Sequence, residues 1–244
     1  MKLDLSDFST LKPAAEEFKS KESALHVLTN NAGVMAPPLG SKDKQGNEVQ
    51  IGTNLCGAFL LTKLLYPLLQ ETAKTSPPNS VRVTWAGSMA VDVNSFKPGG
   101  VDITSDGEPI EKNDTWLNYG QTKAGNLWLA NEFARRFSKD DGVVHVCWNP
   151  GNLQTELQRH LSWFQAKAIG LMTYPPIFGA YTELYSAVGE DLVAKEEADY
   201  IIPWGRKGGF RADIGEAMKS VEKGGTGKAE KFYEWVEKYT AKWA

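Results

Sequence analysis

Three short apolar runs constrain this chain more tightly than any other feature: Leu25-His26-Val27-Leu28-Thr29, Val81-Arg82-Val83-Thr84-Trp85 and Val143-Val144-His145-Val146-Cys147-Trp148. None alternates cleanly between apolar and polar positions, so each needs cover on both faces, the condition of a central parallel strand. Each also stops abruptly, at Asn30-Asn31-Ala32-Gly33, Ala86-Gly87-Ser88 and Asn149-Pro150-Gly151. Between the runs, apolar residues recur at helical spacing. A helix is predicted from about Phe8 to Ser20 with Leu11, Ala14, Ala15 and Phe18 on one face, a long one from roughly Asn47 to Leu69, and another from near Tyr119 to near Phe137. Strands that alternate with helices predict an α/β fold, a doubly wound parallel sheet. Met1 to Leu5 reads as the tail of a further strand, Tyr200 to Gly205 as a last strand, and Lys228 to Trp243 as a closing helix with Phe232, Trp235 and Tyr239 on its apolar face.

Composition narrows the classes of partner. The 244 residues are 41% apolar and 23% charged, enough for one domain spanning the whole chain with a proper core. A net charge of −3 is too mild for a nucleic-acid footprint or a polybasic membrane patch. Cys56 and Cys147 lie in apolar runs, where free thiols behave as small buried hydrophobes, and two cysteines make no disulfide framework. His26, His145 and His160 stand apart, with no companion at metal-ligand spacing, so no metal site is expected. The start carries no basic-then-apolar leader, and the longest apolar stretch, Leu55 to Leu69, is interrupted by Lys63 and Pro67. These features predict no membrane span and a cytoplasmic location.

Parallel sheets bind ligands at the carboxyl ends of their strands, where all three polar loops fall. For Gly33, Pro150 and Gly151 a plain turn role competes evenly with ligand contact. Tyr119-Gly120-Gln121-Thr122-Lys123 puts a phenol and an ammonium on one helix face, a turn apart. Roughly 0.7 such pairs arise by chance in a chain of this composition, so its worth comes from its place after the second strand. A phenol is a poor acid-base group at neutral pH unless a nearby cation lowers its pKa, and Lys123 is spaced to do so. Ser88, at a strand end, suits a hydrogen bond to an oxygen on which charge develops. No Gly-x-Ser-x-Gly elbow surrounds Ser88, which argues against a serine hydrolase.

Taken together, Asp4-Leu5, Asn30 to Gly33, Gly52-Thr53-Asn54 leading into Gly57 to Thr62, Ser88, Tyr119-x-x-x-Lys123 and Asn149 to Leu157 resemble, in order and spacing, a short-chain dehydrogenase/reductase. The likeness is to the retinol-dehydrogenase-like, fungal-type branch and covers nearly the whole chain. It implies a Rossmann-like fold and the interconversion of an alcohol and a carbonyl with NADP or NAD, NADP ahead. In that scheme Tyr119 is the general acid-base, Lys123 lowers its pKa and holds the nicotinamide ribose, Ser88 binds the substrate oxygen, and Asn54 positions a water of the proton relay. Cofactor contacts fall to Asp4 and Leu5 beside the adenine, to Asn31, Ala32 and Gly33 along the adenosine, and to Pro150, Gly151 and Thr155 beside the nicotinamide. For Asn54 a packing role competes, and for Thr155 a helix cap. Aromatic residues between Leu161 and Gly189, among them Trp163, Phe164, Tyr174, Phe178, Tyr181 and Tyr185, imply a lipophilic substrate, with core or oligomer packing as the competing role. The likeness also leaves a homo-oligomer open.

The resemblance departs at one place. The family opens with a strand, a Thr-Gly-x-x-x-Gly-x-Gly turn and a helix that carries the pyrophosphate, and none of the 23 glycines has that spacing. Two β-α units, roughly 60 to 80 residues, are expected to be absent ahead of Asp4, leaving an N-terminally incomplete sheet and helices with bared apolar faces. A truncated, non-catalytic homologue that pairs with a full-length one through its two long helices is the alternative.

Overall fold

The computed structural model describes residues 1–154 and 173–244. Its sheet is built around the three apolar runs. β1 (Val27–Asn30), β2 (Arg82–Ala86), β3 (Val144–Trp148) and β4 (Asp199–Ile202) lie side by side in chain order and parallel, and β5 (Arg206–Lys207) turns back antiparallel along β4. β2 and β3 are buried at every position, as uninterrupted apolar strands require. Asn30 pairs with Trp85 and Ala86 with Trp148, so the three polar loops leave from one rim.

The main helices among the described residues are α1 (Leu11–Lys21), α2 (Ala58–Thr75), α3 (Ala90–Val93), α4 (Thr115–Phe133), α5 (Pro176–Val188), α6 (Ala212–Met218) and α7 (Lys228–Thr240). The residues leading into α2, Ile51–Gly57, are wound as a π-helix and wholly buried. Val83, Trp85 and Cys147 point to the face covered by α2, α4 and α7, where they join Leu55, Phe59, Trp128, Phe133 and Phe232 in one core. Val144, Val146, Trp148 and Ile201 form a smaller cluster on the opposite face, against which α5 packs. The chain is therefore doubly wound, as its alternating elements predict. Ile51–Thr75 is long and apolar enough to cross a bilayer, but 72% of its most apolar 18-residue stretch is buried in the fold, which makes it a core helix.

Three expectations need correction. α4 begins at Thr115 rather than near Tyr119, because the Asp114 carboxylate accepts the N–H groups of Trp116 and Leu117 at 2.8 and 3.1 Å and caps the helix there. The long helix does not stop at Leu69 but continues past Pro67 to Thr75, with the proline ring exposed. Met1 to Leu5 form no strand: Asp4 Oδ1 accepts the Ser6 N–H at 2.9 Å and the Ser6 hydroxyl at 2.7 Å, which turns the backbone. The two long helices put forward for pairing, α2 and α4, both pack under α7, whose Phe232, Tyr233 and Val236 are buried.

Candidate functional site

The rim at the carboxyl ends of β1, β2 and β3 collects most of the residues singled out in the sequence. Ser88 follows β2 directly, while Tyr119 and Lys123 stand on the second and third turns of α4. Their helix approaches the exit of α3 at Gly120, where a Cβ would come within 2.2 Å of the Asn94 carbonyl oxygen, so glycine is needed beside the tyrosine. Ser88 is held on both its hydroxyl and its carbonyl, the latter also accepting the Val91 N–H at 3.1 Å. Its hydroxyl oxygen accepts the Ala90 N–H at 3.1 Å, and its carbonyl accepts the Tyr200 hydroxyl at 3.1 Å.

Tyr119 and Lys123 are each only 6% exposed. Burial pushes the phenol up to about 12, and the Ser88 hydroxyl beside it draws it part of the way back. Burial also moves the Lys123 ammonium down to about 8. Lys123 Nζ donates to the Ala86 carbonyl at 3.0 Å and lies 5.6 Å from the centre of the Tyr119 ring. The lysine was expected to lower the phenol. In the protein alone burial sets the direction for both groups, and the cation is turned toward a carbonyl and is itself pressed toward its neutral form. At neutral pH the pair is a protonated phenol beside an ammonium with one acceptor among the described residues. No carboxylate pairs with that ammonium among the described residues.

Asn54 sits in the π-helical lead of α2, 2% exposed. Its Oδ1 accepts the Val34 N–H at 2.8 Å, and its Nδ2 donates to the Val34 carbonyl at 2.9 Å and to the Thr122 hydroxyl at 3.1 Å. Gly33 must lack a side chain for this contact, since a Cβ would fall 2.7 Å from Asn54 Oδ1. Asn54 is thus gathered into the site by its packing as well as its chemistry. Asn31 and Ala32 are exposed on the rim, with Pro150 and Gly151 half-buried across from them. Gly151 has φ +84° and lies against the Trp204 ring. Asp4 is exposed and held below the usual carboxylate range, chiefly by the Ser6 hydroxyl. Leu5 is buried, its carbonyl pressed on Gly57 of the same helical lead. Thr155, His160 and the aromatic residues Trp163 and Phe164 lie outside the described residues.

Two further groups serve the site and were not singled out in the sequence. Asn126 Nδ2 donates to the same Ala86 carbonyl as Lys123, at 3.0 Å, and its position three residues past Lys123 on one helix face was the available signal. Tyr200, which steadies Ser88, carries no such signal, because its contact crosses from β4 to the end of β2.

No family model matches the chain. A short-chain dehydrogenase/reductase of Phomopsis amygdali is 44% identical over 241 residues, which are 97% of this chain and 71% of that protein. One from Emericella nidulans is 40% identical over 238 residues, covering 96% of this chain and 72% of its relative. Among solved structures, an uncharacterized protein from Mycobacterium paratuberculosis superposes with a TM-score of 0.65 at 25% identity, over 99% of this chain and 75% of its own. The NADPH-bound carbonyl reductase from chicken fatty liver gives 0.60 at 18% identity, over 86% and 75%, a likeness of fold.

Proposed function

Because the chain belongs to the short-chain dehydrogenase/reductase family, we propose that it interconverts an alcohol and a carbonyl with NADP or NAD, on a lipophilic small molecule. The observation that carries this reading is the meeting of Ser88, Tyr119 and Lys123 at one rim, the phenol and ammonium both buried and both protonated at neutral pH. The residues present fit the nicotinamide end of a dinucleotide. A buried ammonium with one acceptor among the described residues has donors for ribose hydroxyls. Asn31, Ala32 and Gly33 would line the adenosine with Asp4 and Leu5 beyond them, and Pro150, Gly151 and Thr155 would flank the nicotinamide. When bound, the nicotinamide supplies or accepts the hydride.

In the reducing direction Tyr119 gives its phenolic proton to the substrate oxygen, which Ser88 holds by hydrogen bonding. Lys123 stabilises the phenolate left behind, and its own charge is what makes that proton available. Asn54 keeps the loop after β1 in place and orders a water in the path that returns the proton. Tyr174, Phe178, Tyr181 and Trp204 support a lipophilic substrate. Tyr174 and Phe178 lie 5.0 and 5.2 Å from the Trp204 ring, centre to centre, beside Gly151. The reading includes a cytoplasmic enzyme.

The test is a panel of lipophilic aldehydes and ketones with NADPH and NADH, read by loss of the reduced cofactor's absorbance. Tyr119→Phe should lower turnover by about 10²- to 10⁴-fold while cofactor affinity holds; unchanged turnover would overturn the assignment. A second reading, a non-catalytic partner of a homologous chain, draws on one observation. Ile177, Tyr181, Leu184 and Val188 form a stripe on α5 that is 51, 55, 57 and 56% exposed. Micromolar binding of either nicotinamide cofactor by the purified chain argues against it.

A further inference from the structure

Gln50 lies four residues before Asn54, and the two carboxamides have parallel partners. Gln50 is fully buried. Its Oε1 accepts the Ala36 N–H at 3.0 Å, and its Nε2 donates to the Thr115 carbonyl at 3.1 Å and to Glu48 Oε1 at 3.2 Å. The Thr115 hydroxyl closes the circuit by donating to the Pro37 carbonyl at 2.9 Å. Asn54 joins Val34 to Thr122 in the same way. Gln50, capping the lead of α2, and Asn54 within it therefore stitch residues 34–37 to α4 at two points, Thr115 and Thr122, and Tyr119 lies between them. A second observation marks what the Gln50 stitch restrains. Ala36 has φ +47°, a left-handed conformation that an L-residue with a side chain seldom keeps without support.

We propose that Gln50 is a positioning residue, which locks the strained turn at Ala36 to the first turn of the helix bearing Tyr119 and Lys123. It thereby fixes the dinucleotide-facing loop against the acid-base pair. The clamp stands on the fold alone, and only its effect on dinucleotide affinity rests on the function proposed above. A carboxamide suits the place because one end must accept and the other must donate in a buried position. Methionine fills the same volume with neither bond. Glutamate keeps the acceptor, loses the donor and sets a second carboxyl beside Glu48.

Hydrogen exchange resolved by peptide tests the clamp without any turnover. In Gln50→Met, exchange should rise about tenfold in residues 33–36 and 115–119 together, the size of one lost hydrogen bond, with residues 144–148 unchanged. NADPH affinity, measured by fluorescence titration, should weaken by a similar factor while the pH profile of turnover keeps its shape. Adding Ala36→Gly removes the strain and should restore protection of the loop and most of the affinity. Should Gln50→Met fail to fold, Gln50→Glu takes its place, leaving 33–36 protected while 115–119 exchanges faster. A rise in only one segment in Gln50→Met, or a uniform rise across the chain, overturns the proposal. Coupled exchange in a protein that binds no NADPH leaves the clamp standing and removes the enzymatic reading.

Discussion

On one face of the sheet, Val83, Trp85 and Cys147 meet three long helices, and the Phe133 ring lies within 5.6 Å of the rings of Trp85, Phe59 and His145, centre to centre. On the other face, Val144, Val146, Trp148 and Ile201 are met by Leu192, Tyr185 and Ala194. There α5 turns Gly179, Thr182 and Ser186 inward with Tyr185, and Ile177, Tyr181, Leu184 and Val188 outward. That pattern inverts an ordinary amphipathic helix, whose large apolar residues face the core. Small residues inward let α5 lie close to the segment that follows β3: a Cβ at Gly179 would come 2.2 Å from a Leu153 methyl. The residues proposed for the chemistry, Tyr119 and Lys123 on α4 and Asn54 in the lead of α2, all come from the thickly packed side. Catalytic groups held to fractions of an ångström belong where packing fixes their rotamers.

The largest test of this contrast is Phe133→Ala. It removes a side chain at the centre of the aromatic cluster and should cost about 3–5 kcal/mol in urea unfolding. A cost below about 1 kcal/mol would mean that the thick face does not hold the domain together. This core was legible in the sequence because β2 and β3 carry apolar residues on both faces, and their ends fell within a residue or two of the apolar runs. The start of α4 was harder to see, since Asn113-Asp114-Thr115 reads equally as loop, yet Asp114 followed by an apolar pair is a cap signal. Tyr119 and Lys123 were legible from their spacing and Ser88 from its strand end. Gln50 was not, because a single glutamine announces nothing until the two segments it joins are brought together.

The electrostatics of the thick face lay furthest from view. Spacing predicts attraction between Lys123 and Tyr119, whereas the dominant effect on each is desolvation, which depends on everything packed around them. Lys123→Met sharpens the comparison by removing a cost that only the thick face imposes. The unfolded chain holds this lysine near 10.5 and the fold holds it near 8. Below both values the penalty for burying the ammonium is complete, so at neutral pH the variant should be the more stable, by up to roughly 3 kcal/mol. Between pH 8 and 10.5 the unfolded wild-type chain binds the extra proton, wild-type stability climbs, and the gap should close. Thermal unfolding across that range measures it. A wild type more stable than the variant at pH 7 would show that the Ala86 hydrogen bond outweighs burial, and that the ammonium is held by the fold rather than merely tolerated.

The smallest effect is expected on the thin face, at Leu184→Lys. Leu184 is among the most exposed residues of the α5 stripe and lies near the carboxyl end of the helix, where a cation meets the negative end of the backbone dipole. Because little apolar contact is lost, stability should stay within about 0.5 kcal/mol of the wild type. Self-association, followed by sedimentation velocity over a range of concentrations, should fall instead, since the charge interrupts a continuous apolar patch. The pairing of those two results matters. Unchanged stability with weaker association makes the stripe a surface that prefers cover from outside the described fold. A loss of more than about 2 kcal/mol would place Leu184 in a packed environment and make the two faces alike.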